Sequence, residues 1–300
     1  MKISSWVVRR SPAPLGQHVR NTKQTQRPYR VTALVATAAA LLSTFATAQA
    51  QPDSSGIDFV TIGSPGNAAW DGTGIVPDGN QRLIGRGSVG YEYRIGKFEV
   101  TTSQWVEFFN AAYDRPTNDR LPHLIPPNAW GAVGATPNTP GGRRWSVPSG
   151  REMIPVGNIS WRMAAMYCNW LHHGKSTDRS AFLDGAYDVN TFTYAPIGFN
   201  DQATRSPGAR YWIPSLDEWT KAAHYDPQKA NPDGSLGGWW MQVNGTDTQL
   251  RYGPAGTLVT PSGPSRPDPN GVPAQANGAW DGFVFPGANP FNIPLGAYPE

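Results

Sequence analysis

Turn-forming residues combined with many aromatic rings set the strongest limit on what this chain can fold into. Its 300 residues include 33 glycines and 29 prolines, about a fifth of the total. Proline breaks helices and cannot donate to a sheet ladder, and glycine weakens the interior of either element. Long helices and wide sheets are therefore disfavoured. Disordered low-complexity chains share this glycine and proline load but lack aromatics, and collagen needs a glycine at every third position. This chain carries 12 Trp, 11 Tyr and 11 Phe. It reads as one α+β domain of short helices, short strands and long loops, with a core built on rings.

Charge is divided along the chain. The formal net charge is +3, with a pI near 9.0. Seven cations (Lys2, Arg9, Arg10, Arg20, Lys23, Arg27 and Arg30) and no acid lie in residues 1–30. The 18 remaining cations face 22 acids from residue 51 on, a balance of −4. The basic character therefore belongs to the N-terminal stretch and gives no reason to expect nucleic acid as a partner. An uncharged run, residues 31–46, follows the cations, and Ala48-Gln49-Ala50 then supplies the small-residue pattern of a signal peptidase site. We expect residues 1–50 to be a signal peptide cleaved after Ala50. The product, residues 51–300, would be an exported bacterial domain with no transmembrane span. Its single cysteine, Cys168, leaves no internal disulfide.

Three helix starts stand out. Thr101-Thr-Ser-Gln104 is a capping box opening a helix with Trp105, Phe108, Phe109 and Ala112 on one face, closed by Pro116. Ser160 is an N-cap for a helix to about Leu171, with Trp161, Ala164, Ala165, Cys168 and Leu171 on a stripe. Ser215-Leu-Asp-Glu218 is a second capping box, and its helix ends before Pro227. Phe59–Ile62 and Tyr211–Ile213 read as strands. Tyr91–Ile95 and Lys97–Val100 read as a hairpin bulged at Gly96. Residues 121–157 read as a long irregular surface loop, and no helix is expected after residue 230.

Four stretches resemble one family. They are Tyr93-Arg-Ile-Gly-Lys-Phe-Glu-Val-Thr-Thr102, Pro155-Val-Gly-Asn-Ile-Ser-Trp161 running into Tyr167-Cys-Asn-Trp-Leu171, Tyr211-Trp-Ile-Pro-Ser-Leu-Asp-Glu-Trp-Thr-Lys-Ala-Ala223, and Pro294-Leu-Gly-Ala-Tyr-Pro299. In this order they resemble the formylglycine-generating enzyme, or sulfatase-modifying factor, domain family, over about residues 58–300. The resemblance implies a C-type-lectin-like sulfatase-modifying-factor fold. In the family's enzymes it also implies oxidation of a sulfatase cysteine to formylglycine, with oxygen and copper held by two cysteines in the C-terminal part of the domain. The chain stops at Glu300, about where that part is expected to begin. A Cu(I) site of this kind needs two soft thiolates, and Cys168 matches neither. No catalytic or cofactor-binding residue is therefore assigned, and the sequence points to a member without oxidase activity in these residues.

The remaining polar residues have plain readings. His172 and His173 are adjacent on a helix, so they point apart and suit a helix end better than a metal. His123 and His224 have no ligand-like spacing. Glu99, Glu107, Asp217 and Glu218 read as structural carboxylates. Asp184, Asp188 and Asn190, and Asp281 near Asn277, could hold calcium, which the family often binds, but ordinary Asx turns explain them. Trp130, Trp145, Trp239 and Trp240 lie on Gly/Pro-rich segments. They are the candidates for exposed rings that stack on a glycan or anchor a protein partner, alongside the alternative that they pin the loops. On this reading a cell-surface binding module would present loops 121–157 and 228–290.

Overall fold

The computed structural model describes residues 7–10, 54–72, 83–134, 144–263, 265–276 and Leu295. The apolar run 31–46, the Ala48-Gln49-Ala50 motif, residues 277–281 and most of Pro294–Pro299 lie outside these residues.

A ring core forms where the helix patterns foretold it. In α1 (Thr102–Ala112), Thr101 and Gln104 close the capping box, with Gln104 N donating to Thr101 Oγ1 and Thr101 N to Gln104 Oε1. The face Trp105, Phe108, Phe109 and Ala112 is fully buried. Ser160 caps α2 (Trp161–His172) through Met163 N. Every residue of α2 from Arg162 to Leu171 is buried, so it is a central helix rather than an amphipathic surface one. Phe108 of α1 meets Tyr167 and Trp170 of α2 at ring separations of 5.3 and 5.6 Å. It also meets Phe182 of the short α3 (Ser180–Leu183). Asn169, buried within α2, donates to the carbonyls of Phe182 and Tyr187 and accepts from Tyr187 N. That single amide fixes the path of the chain after α3.

One antiparallel sheet flanks the helices. Its order is β2 (Phe59–Ile62), β3 (Tyr93–Gly96), β1 (Val8–Arg10), β6 (Tyr211–Trp212). Thus a strand from the first residues of the chain lies inside the sheet, with Val8 opposite both Ile95 and Trp212. The hairpin expected around Gly96 does not form. Lys97 N instead bonds to Asp58 O. A Cβ at Gly96 would lie 2.9 Å from Phe98 O, so the chain turns away there and leads directly into α1.

Residues 121–157 are less irregular than their prolines imply. Val133–Gly134 (β4) pairs with Trp145–Ser146 (β5), and Ala129 bridges Gly157. The last helix among the described residues, α4 (Leu216–His224), starts at the Ser215/Glu218 capping box. It runs into the hairpin β7 (Tyr225–Ala230) and β8 (Leu236–Trp239). A small pair, β9 (Leu258–Val259) and β10 (Val272–Pro273), follows. No helix among the described residues is long and apolar enough to cross a membrane.

Candidate functional site

A cavity of about 650 Å³ opens beside the first turn of α2, lined by His123, Ser160, Trp161, Arg162, Tyr194, Phe199 and Asp201 among others. Arg162 sits in that turn, where a cation opposes the helix dipole. Asp201 offsets this cost. Its carboxylate accepts from Arg162 Nε at 2.8 Å and from Nη2 at 2.7 Å, a bidentate pair, while Nη2 also donates to Thr193 O. The bidentate bond, opposed by burial, holds the guanidinium pKa above its ordinary value.

A tight hairpin covers the pair. Tyr194 bridges Phe199, Asn200 N donates to Thr193 O, and Gly198, at φ 87°, makes the turn. Both rings lie over the guanidinium, with centroids 4.8 Å (Tyr194) and 5.2 Å (Phe199) from its carbon. Yet they remain 77% and 66% exposed, and the neighbouring Ile125 and Ile197 are 68% and 96% exposed. Trp161 lines the cavity and packs on the buried Phe192 behind it at 5.5 Å.

His123 closes the other side of the cavity. Its backbone is left-handed, φ 62°, a conformation that an L-residue other than glycine rarely holds without support. Its Nδ1 lies 3.5 Å from Arg162 Nη1. Because guanidinium only donates, that nitrogen faces it with its lone pair. Burial, followed by the Arg162 charge, pushes the His123 pKa down, against a smaller opposing pull from Asp201.

The four candidate tryptophans are not the exposed rings. Trp130 and Trp145 pack against Phe109 of α1 at 5.8 Å each, and Asn110 holds the Trp145 backbone. Trp239 packs at a tilt against Tyr225, with ring centroids 5.1 Å apart, and Trp240 Nε1 donates to Asp226. All four are half-buried pins of the loops. The most exposed rings among the described residues are Tyr194 and Phe199, ahead of Tyr91 at 42%, and neither was among the sequence candidates. Their only signal is a polar, glycine-turned segment carrying rings beyond any helical or alternating pattern.

The other polar candidates fall to structural roles. His173 pairs with Asp184 at 3.1 Å, and His172 Nδ1 accepts from Arg210 N. Asp188 makes an Asx turn with Asn190 N. Glu107 pairs with Lys175, and Asp217 accepts from Gly87 N. His224 Nδ1 lies 3.1 Å from Trp240 O. Among the described residues, no group of three or more His, Cys, Asp or Glu could hold a metal ion.

A copper centre does not fit these residues. A Cu(I) centre of the kind the resemblance implies needs two thiolates, and the chain's one thiol, Cys168, lies in α2 at 1% exposure, its pKa pushed well above the ordinary thiol range by burial.

No curated protein and no solved structure matches the chain. A family model does match. It covers residues 45–251, more than half of the chain and all of the cavity lining, and by that match the chain belongs to the family described as "Sulfatase-modifying factor enzyme 1-like domain".

Proposed function

We propose that this chain is an exported bacterial member of the sulfatase-modifying-factor family that binds rather than oxidises. In this reading the C-type-lectin-like scaffold presents the α2 cavity at the cell surface to a glycan. The carrying observation is the open aromatic hairpin: Tyr194 and Phe199 hold exposed faces over an arginine whose charge Asp201 already satisfies. An internally neutralised site favours a neutral ligand, because a charged one would have to compete for a saturated partner. Two ring faces beside fixed polar groups suit the apolar face and hydroxyl edges of a hexose.

Titration of the full chain with neutral hexose oligosaccharides, α- and β-linked, followed by two-dimensional NMR, tests the reading. Shifts confined to His123, Arg162, Tyr194, Phe199 and Asp201 support it. Binding of no saccharide would refute the glycan reading, and capture of a protein ligand at the same rings would replace it. The non-oxidase half has its own test. A cysteine-containing sulfatase peptide incubated with the chain, copper and oxygen should yield no aldehyde, and aldehyde formation would overturn it.

A further inference from the structure

The strand that completes the sheet is foreign to the rest of it. β2, β3 and β6 all lie inside the family match, residues 45–251, whereas β1 lies outside it, near the chain's start. Among the described residues β1 is the only strand that hydrogen-bonds to β6, so without it the sheet reduces to the β2–β3 pair. The slot is well defined. Its walls are Tyr93 and Ile95 on one side and Tyr211 and Trp212 on the other, all at most 2% exposed. Val7 and Val8 are 3% and 0% exposed, so consecutive residues, which point to opposite faces, are both buried. Val7 O accepts from Gly96 N at 3.0 Å, and the Arg9 guanidinium lies 5.8 Å from the Tyr211 ring centroid.

The tenant has one flaw. Arg9 stands directly opposite Arg94, a like-charge cross-strand pair. In sequence, nearly fifty residues separate Arg10, the end of β1, from Phe59, where β2 begins.

We propose that β1 is an exchangeable strand, and that the β3–β6 slot is a β-augmentation site. Its ligand is an extended segment with two consecutive β-branched apolar residues followed by a cation, lying antiparallel to both neighbours. The fully buried pair sets the apolar requirement, and the Tyr211 ring faces the cation. This inference does not depend on the glycan reading; where residues 1–50 are removed, β1 leaves with them and the same β3–β6 slot is left open for such a segment.

The test uses the full chain and a fluorescent peptide of sequence SWVVRRS, residues 5–11. In the wild-type chain the tethered strand competes at high effective concentration, so capture is weak. The full-length V8D variant should capture the peptide at least about tenfold more tightly, because a buried aspartate weakens the resident strand. A peptide carrying the same Val8→Asp change should not be captured. Should V8D fail to fold, a wild-type chain with a protease site placed near residue 50 gives the same readout after cutting and dilution: the strand leaves and labelled peptide replaces it. Capture by neither the variant nor the cut chain, or equal capture of both peptides, overturns the proposal. Amide exchange at Gly96, slowed by the wild-type peptide alone in V8D or in the cut chain, places the bound strand. An unchanged Gly96 rate would also overturn it.

Discussion

Two arginines in this molecule sit among aromatic rings beside a carboxylate, and they meet opposite fates. Arg205 lies 3.9 Å from the Trp212 ring centroid and pairs with Glu218, which is fully buried. That carboxylate is saturated: Tyr91 OH, Trp212 Nε1 and Ser215 N donate to it as well. Burial, with the Glu218 charge, raises the pKa of Tyr91 and Tyr93 and keeps both phenols protonated as donors. Arg162 and Asp201 form an equally good ion pair, but the rings above them end in solvent. The first arrangement saturates its carboxylate and seats Arg205 against the buried Trp212 ring, and its outer ring, Tyr91, is 42% exposed against 77% and 66% for Tyr194 and Phe199, so it is the more closed of the two. The second satisfies its charges while exposing apolar faces, the arrangement on which the proposed ligand site rests. An arginine between rings is therefore no sign of a binding site. The exposure of those rings is.

The largest expected effect breaks the more closed member. Glu218→Ala strands Arg205 and leaves the Trp212 indole and the Ser215 amide without their acceptor. It should cost about 3–5 kcal/mol in denaturant unfolding. Asp201→Ala removes the partner of Arg162, itself buried, but at the edge of a cavity open to water, and should cost less, about 1–3 kcal/mol, while abolishing the proposed ligand binding. A larger stability loss for Asp201→Ala than for Glu218→Ala, in the same unfolding series, would erase the distinction between the two sites.

Smaller effects sharpen it. Tyr194→Ala and Phe199→Ala remove mostly exposed rings and should each change stability by no more than about 0.5 kcal/mol. The pH response is subtler still. The folded pKa of His123 lies below the ordinary 6.5, so as pH falls under that value the unfolded chain takes up the proton first. His123 therefore contributes fully above 6.5, and its contribution is lost as pH falls through the folded pKa. His123→Asn, which tolerates the left-handed backbone, should flatten that part of a stability profile taken between pH 7.5 and 5. A parallel fall in both proteins would remove His123 from the account.

The helices were legible in the sequence because their signals are local. Thr101/Gln104, Ser160 and Ser215/Glu218 announce starts that the structure keeps, and the α1 ring face follows helical spacing. Three strands of the sheet, β2, β3 and β6, were legible as well, but their assembly was not. Its register depends on β1, separated from β3 by more than eighty residues, and no local pattern reports that pairing. Gly96 misled because a glycine between two strand-like runs suits a bulge and a sharp exit equally well. The site failed to show for a related reason. Counting aromatics favours tryptophan, but Trp130 and Trp145 are absorbed by Phe109, whereas Tyr194 and Phe199 are held outward by hairpin bonds. Exposure is a tertiary property, and composition does not encode it. Cys168 was legible, since a cysteine on an apolar helix stripe is buried by the same packing as its neighbours.

The most direct test of the open site separates binding from folding. The full wild-type chain and the double variant Tyr194→Ala/Phe199→Ala would be compared by calorimetric titration with neutral hexose oligosaccharides, beside their thermal unfolding midpoints. The account predicts saturable binding by the wild type, a loss of at least about tenfold in the variant, and nearly equal midpoints. Equal binding by both proteins, or no binding by the wild type, would contradict it.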